Sequence, residues 1–106
     1  MERMTAAQVR ALTEKKVPDL LEKEIRAQVK EYLTMMGWFV FYILQGTGSY
    51  KGIPDLIAVK DGRVVFIELK TRKGKQSAHQ VKFQADVEAH GGEYRIVRSL
   101  DDAMAL

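Results

Sequence analysis

Between residues 18 and 36, Leu21, Ile25, Val29, Tyr32, Leu33 and Met36 share one broad arc when successive residues are set about 100° apart. That rhythm predicts an amphipathic helix, with Pro18 suited to its first position and Gly37 to its end. The rhythm then changes. "WFVFYILQ", Trp38 to Gln45, is a continuous aromatic and branched run, which predicts a strand buried on both faces, so that Trp38, Phe39, Phe41 and Met36 read as core. "DLIAVK" and "RVVFIELK" flank Asp61-Gly62, a turn dipeptide, and predict a β-hairpin. Ser77 with Gln80 forms a capping box that opens a helix running to about His90, where Gly91-Gly92 stops it. "EYRIVR" predicts a last strand, and Ser99 with Asp102 caps a short terminal helix. Ahead of all this, Thr5 with Gln8 predicts a first short helix from about Ala6 to Lys16. The order is (α)αβββαβ(α). A helix between the third and fourth strands needs a crossover, so the fold class is α/β, a mixed central sheet flanked by helices on both faces. Residues 1–17 are expected to form an N-terminal helical extension and residues 18–106 a single domain.

Bulk properties narrow the function classes. A chain of 106 residues supports one core. Cysteine is absent, which excludes disulfides and thiolate metal sites and suits a cytosolic setting. The longest apolar run, Met35 to Leu44, is roughly half a membrane span, and the N-terminus "MERMTAAQVR" has no apolar signal segment. A net charge of +3 leans mildly toward polyanions.

Against that background, three charges on the hairpin stand out. On the second hairpin strand Val64, Phe66, Glu68 and Lys70 share one face, while Val65, Ile67 and Leu69 share the other. Glu68 and Lys70 therefore point the same way, about 7 Å apart. The start of the first hairpin strand lies beside the end of the second, which brings Asp55 to them. Two crowded carboxylates repel unless a cation sits between them. Such oxygen ligands suit a hard divalent ion such as Mg²⁺, and the Leu69 carbonyl can add a further ligand. Lys70, being charged, is not a ligand but can orient a water or neutralise charge on a phosphate. On the preceding helix Glu22 lies about 50° from the centre of the apolar stripe and Glu24 about 110°. Glu22 is therefore the glutamate that faces the sheet.

Pro54-Asp55, then Glu68-Leu69-Lys70, resembles the PD-(D/E)xK nuclease signature. The wider set, "EKEI" from Glu22, Gly37, "GIPDL", "FIELK" and Ser77 with Gln80, is similar to the VRR-NUC branch of that superfamily in its stand-alone form. Pro18-Asp19 and Glu14-Lys15-Lys16 mimic parts of the signature, but in helical contexts and in the wrong order. The resemblance implies a restriction-endonuclease-like αβββαβ core. It further implies that Asp55 and Glu68 hold Mg²⁺ or Mn²⁺, that Glu22 contributes to the site, and that Lys70 assists the attacking water. Products with a 5′-phosphate and a 3′-hydroxyl are implied as well.

The expectation is a metal-dependent, structure-selective DNA endonuclease acting as a homodimer on branched DNA such as a four-way junction. Its setting would be the cytoplasm of a bacterial or phage-infected cell, with no membrane partner. Gln80 is expected near the phosphate or the water, or else only in its capping box. DNA contacts are expected from Ser49, Tyr50 and Lys51 in the glycine-rich loop, from Arg72, Lys73 and Lys75 in the basic loop, and from Ser77. His79 and His90 read as surface residues. The alternatives are a nuclease subunit fed by a helicase or repair assembly and an inactive nucleic-acid-binding module.

Overall fold

The computed structural model describes residues 5, 6 and 21–106; the expected first helix lies almost wholly outside these, as does Pro18. The amphipathic segment forms α1 (Glu22–Met35). It begins four residues later than the sequence predicts, because Leu21 is extended with ψ 153° and its N–H donates to Glu24 Oε2 at 3.0 Å. Ile25, Val29 and Leu33 are buried, each worth about 1.5–3 kcal/mol. Leu21 and Met36, expected in the stripe, are exposed, since one precedes the helix and the other lies at its end. Gly37, with φ 91°, turns the chain there, as only glycine does readily.

Four strands follow, β1 (Phe39–Tyr42), β2 (Leu56–Lys60), β3 (Arg63–Leu69) and β4 (Glu93–Val97), with α2 (Ala78–Ala89) before β4 and α3 (Leu100–Met104) after it. The sheet order is β1-β2-β3-β4, antiparallel except for the parallel β3–β4 pair. Asp61 and Gly62, at φ 51° and 79°, make the tight turn between β2 and β3. Ser99 starts α3 without a side-chain cap bond; Asp102 instead accepts from the Arg98 N–H at 2.8 Å.

One face of the sheet holds the core. Leu56, Ala58, Val65, Ile67, Leu69 and Val97 pack against Ile25, Val29 and Leu33 of α1 and Ala103 of α3. The opposite face is only half covered. There Phe83 of α2 meets Phe66 and Tyr94 with ring centroids 5.8 and 6.3 Å apart. The β1 side lies beyond α2's reach. Phe39 is 67% exposed and Phe41 40%, so β1 is buried on one face rather than both. A continuous apolar run does not distinguish a central strand from an edge strand, and β1 is an edge. Trp38 is core, as expected, while Met36, Phe39 and Phe41 are not. Among the described residues, no helix is long and apolar enough to cross a membrane.

Candidate active site

The β2–β3 pairing runs Lys60↔Arg63 at the turn to Leu56↔Ile67 at the open end. One step further lies Asp55 beside Glu68. The Asp55 N–H donates to the Ile67 carbonyl at 3.1 Å, and Asp55 Oδ2 accepts from the Leu69 N–H at 2.7 Å. Backbone thus clamps one carboxylate against the strand carrying the other. Asp55 is 7% exposed and Glu68 only 2%. Lys70 Nζ stands 3.9 Å from Glu68 Oε1, on a side chain that is itself largely buried.

The charges at this spot are not satisfied within the fold. Burial pushes the Glu68 carboxyl up to about 8, hydrogen bonding with Asp55 and the charge of Asp55 push the same way, and Lys70 only partly opposes them. Glu68 Oε2 is buried with no hydrogen-bond partner. The Tyr94 hydroxyl is pushed up to about 12, by burial first and then by the nearby Glu68 charge. A buried, unpartnered carboxylate oxygen is costly unless something cationic binds it. Two carboxylates, one with an unpartnered oxygen, fit a hard divalent ion. Leu69, its N–H held by Asp55, keeps its backbone fixed between them.

Glu22 stands at the margin of the pair, near enough for its charge to add to the upward push on Glu68. Its side chain is 45% exposed and lies 3.9 Å from Arg26 Nη2. Among the described residues no three acidic or histidine side chains form a metal cluster, so the pair stands as two carboxylates, Asp55 and Glu68. The residue of α1 that does reach the pair is Arg26, whose Nη2 donates to Asp55 Oδ1 at 3.4 Å. Arg26 Nε is buried without a partner. Sequence reasoning missed Arg26, although it follows Glu22 by one helical turn and so shares its face.

Other residues sort by what holds them. Gln80 Oε1 accepts from the Ser77 N–H at 2.9 Å, and Ser77 Oγ accepts from the Gln80 N–H at 3.2 Å. Both groups therefore start α2, and none of their hydrogen bonds among the described residues reaches Asp55 or Glu68; the capping role is the one the structure displays. Ser49 Oγ donates to the Gly46 carbonyl at 2.7 Å within the glycine-rich loop, while Tyr50 and Lys51 are exposed. Arg72, Lys73 and Lys75 are exposed on the basic loop. That loop is anchored by a residue not anticipated, Arg98, whose Nη1 donates to the carbonyls of Thr71 and Gly74 at 2.9 and 2.6 Å. A second unanticipated residue is Gln45, whose Nε2 donates to the Ile53 and Pro54 carbonyls at 3.2 and 2.9 Å, fixing the approach to Asp55. No periodic pattern marks a side chain that binds distant backbone. His79 and His90 are exposed, as expected.

Residues 21–88 match the family model of the archaeal Holliday junction resolvase, Hjc. Among solved structures, a VRR_NUC domain superposes with a TM-score of 0.70 at 24% identity, over 80% of this chain and 91% of that one. At that identity the likeness shows a shared fold, and with it the restriction-endonuclease-like mixed sheet flanked by helices. No curated protein matches the chain at a significant level.

Proposed function

The chain belongs to the archaeal Holliday junction resolvase family, and from that premise we propose that it is a metal-dependent, structure-selective DNA endonuclease acting as a homodimer on four-way or otherwise branched DNA. The observation that carries this reading is the buried, unpartnered Glu68 Oε2 beside Asp55 and Lys70 at the open end of the hairpin. Asp55 is bonded by the Leu69 N–H and by Arg26, but no bond within the fold accounts for Glu68 Oε2.

In this reading Asp55 and Glu68 hold Mg²⁺, with Mn²⁺ as a substitute, and the Leu69 carbonyl and Glu22 assist at the margin. A divalent ion bound there supplies positive charge to the scissile phosphate. Glu68, once ionised, would hold such an ion with the oxygen that has no protein partner. Lys70 Nζ, held near Glu68 rather than in bulk water, orients the attacking water and offsets negative charge developing on the phosphate. Lys51 and the basic loop at Arg72, Lys73 and Lys75 track the DNA backbone as sequence-independent contacts.

The homodimer is supported by the bare half of the sheet. Phe39, Phe41 and Val64 are exposed on one face, with Ile57 and Val59 beside them by register. Contiguous apolar surface of that kind marks an interaction site. A second copy placing its own site on the same DNA would cut both strands symmetrically.

The test assays the full chain on four-way-junction, flap and linear duplex DNA with Mg²⁺, with Mn²⁺ and with chelator. Cleavage that needs metal and favours the junction supports the reading. Metal-independent binding without cleavage of any substrate points to a binding module instead. Sedimentation as a monomer at micromolar concentration removes the dimer from the proposal.

A further inference from the structure

A cavity of about 650 Å³ lies between the glycine-rich loop and α2, on the flank of the sheet away from α1. Its lining includes Ser49, Tyr50, Lys51, His79, Lys82 and Phe83. Nothing in the metal chemistry uses it. Its size falls within the range of small-molecule and base-sized pockets.

The aromatic part is built from the sheet outward. Phe83 is held against Phe66 and Tyr94, and Tyr50 meets Phe83 edge-on at 5.8 Å with an interplanar angle of 66°. Tyr50 is nonetheless 63% exposed, so much of its ring is left for another partner. Around the rings stand hydrogen-bond donors. Lys51 has no ion pair among the described residues, His79 is exposed, and Lys82 Nζ is paired to Asp86 Oδ2 at 2.8 Å on the rim. The loop wall is fixed by Gly52. With φ 82° it lies so close to the first turn of α2 that a Cβ would collide with the His79 carbonyl. Three residues later the same stretch of chain delivers Asp55 to the metal pair.

We infer that this cavity is a stacking site for one unpaired base of the DNA substrate, a reading that rests on the proposal that the chain binds DNA. Exposed aromatic rings beside cations are the chemistry by which single-stranded bases are held: the ring stacks and the cations take the adjoining phosphate. A base inside a duplex has both faces covered by its neighbours and does not enter. A base loosened at a branch point does. Asp86, on the same rim, is an acceptor for an exocyclic amine. The cavity would therefore read branching directly, as an unstacked base held by the loop that leads to Asp55, in addition to whatever the shape of the junction contributes.

The experiment places 2-aminopurine at the unpaired position of a bulged duplex and at the matching paired position of a linear duplex, with chelator present so that neither is cut. Wild-type protein is expected to quench the unpaired probe and leave the paired one unchanged. Tyr50→Ala is expected to weaken binding of the bulged DNA by about tenfold, at least five times its effect on the linear duplex, and to abolish the quench. Tyr50→Phe should retain the quench, and Lys82→Ala should weaken binding while keeping it. Equal quenching by wild type and Tyr50→Ala, or equal loss on both DNAs, would overturn the inference. Cleavage assays with Mg²⁺ run alongside. Metal-dependent cutting without any Tyr50 effect removes the base pocket alone, whereas quenching without any cutting keeps the pocket and removes the nuclease.

Discussion

The two ends of the β2–β3 hairpin both carry charge, and they treat it in opposite ways. At the turn end Arg63 and Glu93 form a fork of hydrogen bonds, with Nε and Nη2 donating at 2.8 Å, both side chains part-exposed. Each partner stabilises the charge of the other: Glu93 lies below the usual carboxylate range because Arg63 bonds it, and Arg63 is raised by the same contact. At the open end Asp55 and Glu68 are buried, burial and the Asp55 charge hold Glu68 well above the usual carboxylate range, and one oxygen has no partner. A fold satisfies surface charge wherever geometry allows. The contrast is what the proposed metal site accounts for: in that reading the open end is shaped by a requirement other than stability, a cation brought from solution.

The largest effect expected comes from breaking the open end. Asp55→Asn or Glu68→Gln should lower metal-dependent cleavage by about a hundredfold to a thousandfold or more, with folding preserved by circular dichroism. Next is the loop that delivers Asp55. Gly52→Ala would force the loop away from α2, because no space exists for the methyl group, and should reduce cleavage about tenfold while lowering the melting temperature.

The pH dependence sharpens the contrast further. Glu68 titrates near its ordinary 4.5 in the unfolded chain and at about 8 in the folded one. Between those values the folded state holds more protons, so the metal-free protein should lose stability as pH rises from about 5 to 8. Glu68→Gln should flatten that part of a melting-temperature profile. A smaller effect is expected at Arg26, whose contact with Asp55 would compete with a metal bound there. Arg26→Gln should tighten Mn²⁺ binding about threefold in calorimetry, and weaker binding would make Arg26 a support for the site instead. Smallest of all, Glu93→Gln at the turn end should leave cleavage within about twofold of wild type.

Much of this architecture was legible in the residue order. Asp61-Gly62 announced the hairpin, strand alternation put Glu68 and Lys70 on one face, and the antiparallel pairing brought Asp55 beside them. Ser77 and Gln80 announced the start of α2 and are found bonded to each other there. What the sequence concealed depends on position in space. "WFVFYILQ" has the composition of a central strand, yet the sheet places it at an edge with Phe39 and Phe41 bare. Glu22 shares a helical face with Arg26, and helical angle does not tell which of the two extends far enough to meet Asp55. Gln45 and Arg98 act by donating to backbone carbonyls many residues away, a relation that leaves no periodic trace.

The central claim is that the open end of the hairpin is a metal site made by Asp55 and Glu68. Calorimetric titration of Mn²⁺ into wild-type and Glu68→Gln protein near pH 7 tests it directly. The account predicts a saturable site in wild type, with release of about one proton as Glu68 ionises, and its loss in the variant. Equal binding by the two proteins, with no proton released, would contradict it.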